Sequence, residues 1–84
     1  VRLSVLEIGG KGIVRGLDVS GHGGGVEEAE LERRLLEMGF VEGAAVEVLH
    51  EGLFGRDPIA VKLDDMRVAL RRREADAILL ESAP

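Results

Sequence analysis

The chain contains no cysteine. Disulfides, thiolate zinc sites, iron–sulfur ligation and thiol catalysis are excluded by that absence. Tryptophan and tyrosine are also missing, and Phe40 and Phe54 are the only aromatic residues. Grooves that take proline-rich peptides are lined by Tyr and Trp, so the composition argues against that binding mode. There is no threonine, and the serines are Ser4, Ser20 and Ser82. His22 and His50 are the only imidazoles available as bases, and none of these residues stands in a recognisable catalytic context. Positive charge is in deficit. Eleven Lys and Arg face sixteen Asp and Glu, a formal net charge of −5, which disfavours nucleic acid and anionic lipid as partners. The longest uninterrupted aliphatic run is Ala77 to Leu80, far short of the roughly 20 residues of a membrane helix. No signal-peptide pattern opens the chain. No direct membrane insertion is expected, and a cytoplasmic location fits.

With 84 residues, 45% hydrophobic and 32% charged, the composition is globular and the length suits one domain, residues 1–84. A chain of this size buries roughly 63% of its unfolded surface. That allows one thin core and leaves little room for a desolvated pocket that would tune a general acid. An enzyme is not expected.

Gly9 to Gly12 signals a turn, and Ile13 to Val19 reads as a strand. Ser20 to Gly25 reads as a flexible loop. It precedes a helix, as phosphate loops do, but lacks their Lys-Ser/Thr ending, and Glu27 and Glu28 would repel a phosphate. Glu27 to Met38 is the one convincing helix, with Leu31, Leu35 and Met38 on a single stripe. Glu30 and Arg34 are spaced for an i, i+4 ion pair. Gly39 suits a left-handed C-cap, and Phe40 is placed to pack back on the last turn. Ala45 to His50 alternates as a strand. Glu51 to Pro58, with Gly52 and Gly55, reads as a loop. Ile59, Val61 and Leu63 alternate, then Met66, Val68 and Leu70, around a two-residue turn at Asp64-Asp65. Arg73 to Asp76 fits one helical turn, and Ile78 to Leu80 a closing strand. About five short strands with one inserted helix favour a small, partly open barrel. The helix would cap one end with its apolar stripe, and exposed strand edges would allow self-association.

Leu35-Leu36-Glu37-Met38-Gly39-Phe40, then Glu42-Gly43, then Val46-Glu47-Val48, resembles a signature of the ferrous iron transport protein A (FeoA) family. Gly52 to Ile59 looks like that family's "PLGDPI" segment. Val68-Ala69-Leu70-Arg71 followed by Glu74-Ala75 looks like its ending. The Gly21 to Gly25 loop is longer than the family pattern, Gly52 stands where Pro is common, and Arg56 is an extra residue. The resemblance implies a mainly β, SH3-like barrel with the helix at about 27–38. It also implies an accessory protein of ferrous iron uptake that binds the cytosolic GTPase or membrane region of a ferrous iron transporter and modulates it. The same module is similar to the C-terminal regulatory domain of iron-dependent transcription regulators, the alternative reading.

Two sets of residues remain as site candidates. Ferrous iron is commonly held by imidazole and carboxylate. His50, flanked by Glu51, is the leading metal candidate, with His22, Asp64 and Asp65 as more distant partners. Such a site is expected to be weak, with no tightly bound cofactor. Leu53 and Phe54 are large apolar residues beside Gly55, and they either fold back on the core or form a docking patch. The expected partner surface is Leu53, Phe54, Gly55, Asp57 and Pro58, with Arg71 of the Arg71-Arg72-Arg73 run meeting an acidic surface.

Overall fold

The computed structural model describes residues 1–82, so the domain end expected at residue 84 lies outside the described residues. The architecture is mainly β, five antiparallel strands with one main helix. A 3-10 turn at Leu3–Val5 leads into β1 (Lys11–Leu17). Then follow α1 (Gly25–Met38), β2 (Ala45–Phe54), β3 (Asp57–Leu63), β4 (Met66–Leu70), α2 (Arg72–Ala75) and β5 (Ile78–Glu81). The sheet order is β4-β3-β2-β1-β5. Each sequential hairpin pairs with its neighbour, and β5 closes back on β1.

The core follows the alternation. Val46 and Val48 from β2, Ile59, Val61 and Leu63 from β3, Leu70 from β4, and Ile78 and Leu80 from β5 are buried together. Each such side chain contributes roughly 1.5–3 kcal/mol by leaving water. Met66 departs from the pattern and is exposed, because it flanks the β3–β4 turn at the rim of the sheet. That turn is where the sequence puts it, with Leu63 opposite Met66. Asp64 takes a φ of 51°. Its N–H donates to the Ala45 carbonyl at 2.8 Å, and its Oδ1 accepts from the Ala45 N–H at 2.9 Å. The reciprocal pair offsets the cost of positive φ in a non-glycine residue.

The helix begins two residues earlier than its stripe suggests. Glu28 Oε2 accepts from the N–H groups of Gly24 and Gly21, at 3.2 and 3.1 Å, which satisfies the N-cap donor and ties the glycine-rich loop to the first turn. Leu35 is buried, and Leu31 and Met38 are partly buried against the core. Gly39 caps the helix at φ 111°, and Phe40 is buried. The expected Glu30–Arg34 pair does not form. Arg34 pairs instead with Glu74 of α2, and Arg33 pairs with Glu37, because Arg34 faces α2 across a groove.

Two further expectations change. β1 starts at Lys11 and ends at Leu17, since its register is set by Glu47 of β2 and Ile78 of β5. The N-terminal segment contributes Leu3 to the core. The loop expected over Glu51 to Pro58 is a β-hairpin, with only Gly55 and Arg56 between the strands. Gly52 reads as a breaker in sequence, yet it serves the ladder: a Cβ there would overlap the Asp57 carbonyl.

Candidate functional site

The β2–β3 hairpin extends past the rest of the sheet. β1 pairs with β2 only through Ala45 to Glu47, and Val48 bonds with Gly9 and Gly10. Beyond Val48, β2 has β3 as its ladder partner, through bulges between Val48 and His50 and between Glu51 and Phe54. Phe54 opposes Asp57, and the two turn residues take φ of 70° (Gly55) and 59° (Arg56). Positive φ at both positions is what the tight two-residue hairpin turn demands.

Leu53 is 95% exposed and Phe54 is 90% exposed. They do not fold back on the core. The hairpin displays both at its tip, with Gly55 and Pro58 also exposed. Asp57 points down instead, and its Oδ1 accepts from the backbone N–H of Arg72 at 2.8 Å. Arg71 is exposed at the N-cap of α2, and its backbone N–H donates to Glu74 Oε1 at 3.0 Å. It lines a groove of about 720 Å³ between α1 and α2 with Arg33, Arg34, Arg73 and Asp57. Asp57, opposite Phe54 beside the turn, thus links the tip end of the hairpin to the groove that Arg71 lines.

The metal candidates are not brought together. His50 is exposed on β2. Glu51 Oε1 accepts from Arg72 at 2.9 Å and from Arg56 at 3.2 Å, so two guanidiniums compete for it. Among the described residues, no group of three or more acidic or imidazole side chains is placed to hold a metal ion. His22, expected in a flexible surface loop, has a side chain only 9% exposed. Its Nε2 lies 3.0 Å from the Arg73 carbonyl and its Nδ1 3.2 Å from the Val19 carbonyl, which anchors the glycine-rich loop to α2. The sequence signals nothing of this, because the partners are backbone carbonyls.

The FeoA domain model matches residues 1–82. The chain belongs to the FeoA family. This is a family of accessory proteins of iron transport, not of enzymes. No curated protein matches the chain. Among solved structures, the FeoA-like protein of Clostridium acetobutylicum is 32% identical with a TM-score of 0.78, over 98% of this chain and 85% of that one. FeoA of Stenotrophomonas maltophilia is 30% identical with a TM-score of 0.78, over 96% and 89%. That protein was solved with zinc and is described as an SH3 domain proposed to activate ferrous iron transport. The SH3-like fold implied by the sequence is therefore shown. A manganese-dependent transcriptional repressor is 22% identical with a TM-score of 0.76, over 99% of this chain and 41% of that one. At that identity the likeness shows the fold alone.

Proposed function

We propose that this chain is a cytosolic accessory protein that binds a ferrous iron transporter and modulates Fe²⁺ uptake, with the Leu53–Phe54 tip as its main contact. The observation that carries the proposal is the near-complete exposure of those two side chains on an ordered hairpin turn. Large apolar residues held in water gain by being covered, and such residues anchor protein interfaces. The family supplies the partner class. Among the described residues no helix is long and apolar enough to cross a membrane, which suits a protein that meets the transporter from one side. Modulation then needs no chemistry on this chain. Contacts that are better with one transporter state than another shift the population toward that state.

The test is co-purification with the detergent-solubilised ferrous iron transporter of the same organism. It is run anaerobically, with and without Fe²⁺ and guanine nucleotide. Retention of the wild type, lost in Leu53→Ala/Phe54→Ala, is expected. Equal retention of both proteins would remove the tip from the interface.

A further inference from the structure

Arg72 falls outside the residues expected to meet a partner, yet the whole hairpin rests on it. Its guanidinium is only 16% exposed. Nε donates to the Arg56 carbonyl at 2.7 Å, Nη1 to the carbonyls of Ser4 and Leu6 at 2.8 and 3.1 Å, and Nη2 to Glu51 Oε1 at 2.9 Å. Its backbone N–H donates to Asp57 Oδ1 at 2.8 Å. One residue of α2 thus grips the β2 arm, the turn, the β3 arm and the N-terminal segment at once.

The tip has little else to orient it. Leu53 and Phe54 are exposed and pack on nothing that fixes them. Beyond Glu51 and Ile59, where the pairing of β4 with β3 also ends, the hairpin is a two-stranded ribbon with a bulge, and such a ribbon has marginal order by itself. Carbonyls at three different points are reached by a single planar fork, which lysine, with one compact ammonium, does not reproduce.

We infer that Arg72 is a positioning residue: it sets the orientation of the Leu53–Phe54 tip, and through the tip it sets affinity for the partner without touching it. This rests on the reading of the tip as a docking element.

The test uses Arg72→Lys, which keeps the charge and loses the fork, and Glu51→Gln, which keeps Arg72 and weakens one anchor. Both are studied at a temperature where circular dichroism shows full folding. The first readout is backbone ¹⁵N relaxation. Order parameters at residues 52–56 are expected to fall from about 0.85 toward 0.6 in Arg72→Lys, with Val61 and Leu80 unchanged. A smaller fall is expected in Glu51→Gln. The second readout is transporter affinity in a double-mutant cycle. Arg72→Lys is expected to weaken binding about tenfold with the tip intact, and to add nothing in the Leu53→Ala/Phe54→Ala background. A purely structural role would weaken both backgrounds alike, and that result overturns the inference. So does an unchanged tip order parameter in both variants. If the tip loosens in Arg72→Lys while the Leu53→Ala/Phe54→Ala change leaves binding intact, the docking reading falls, and the hold of Arg72 on the hairpin stands on the relaxation data.

Discussion

Leu53 and Phe54 stand in water that side chains of their size usually leave. Truncating them removes no core contact, so Leu53→Ala/Phe54→Ala is expected to change unfolding free energy by no more than about 0.5 kcal/mol. Urea unfolding checks this, and a large loss would return both residues to a packing role. Gly52, directly before Leu53, behaves in the opposite way. A Cβ there meets the Asp57 carbonyl, and the ladder must shift to admit it. Gly52→Ala is expected to cost about 1–3 kcal/mol in the same assay. Asp18 illustrates a charge effect at the surface. Hydrogen bonds from Ser20 and from Arg2, at 2.9 Å, lower its pKa from 3.8 to about 2. A depressed folded pKa favours the folded state above the unfolded value, and the benefit is lost as pH falls through about 4 toward 2. Asp18→Asn should therefore flatten the acid limb of the stability curve over that window. NMR titration of the carboxyl near pH 2 checks the assignment, and an unshifted midpoint would refute it.

At the scale of elements, α1 offers a clean contrast. Leu35 is buried while its neighbour Leu36 is exposed. Leu35→Ala is expected to cost about 2–5 kcal/mol, and Leu36→Ala about 0.5 kcal/mol or less, measured by thermal or urea unfolding. This contrast was legible in the sequence, because a helical stripe with a glycine cap is a local signal. The β3–β4 hairpin was legible for the same reason, through strict alternation around Asp64-Asp65. The β2–β3 hairpin was not. Gly52, Gly55 and Pro58 look like loop punctuation, whereas Gly52 answers a close backbone approach from across the ladder. The site divides likewise. Leu53 and Phe54 could be singled out, since apolar bulk beside glycine is conspicuous, but their exposure depends on how far β2 outruns β1. Arg72 was hidden in a run of three arginines. Only the placement of α2 turns it inward and leaves Arg71 and Arg73 exposed. Glu51 looked like a metal ligand until the fold brought Arg56 and Arg72 to it.

Across the whole molecule, charge and apolar surface make different claims on a partner. The net charge is −5, and Arg33, Arg34, Arg71 and Arg73 line one groove interleaved with Glu27, Glu30, Glu37, Asp57 and Glu74. Part of that positive charge is already answered: Arg33 pairs with Glu37 and Arg34 with Glu74. Among the described residues Arg71 and Arg73 form no ion pair, which leaves them available to steer an acidic partner toward the hairpin. Exposed charges act through a screening length of roughly 10 Å at about 0.1 M salt, falling to about 3 Å at 1 M. Apolar burial does not weaken over that range. If the tip dominates, raising salt tenfold from about 0.05 M should slow association and lower transporter affinity only a few-fold. Arg71→Ala should then reduce the association rate and flatten its salt dependence, while the dissociation rate stays near wild type. Leu53→Ala/Phe54→Ala should do the reverse, raising the dissociation rate with the salt slope unchanged. Surface plasmon resonance on the immobilised transporter separates the two rates. A steep loss of affinity with salt, shared by wild type and the tip variant and abolished by Arg71→Ala, would move the centre of the interface from the hairpin to the groove between α1 and α2.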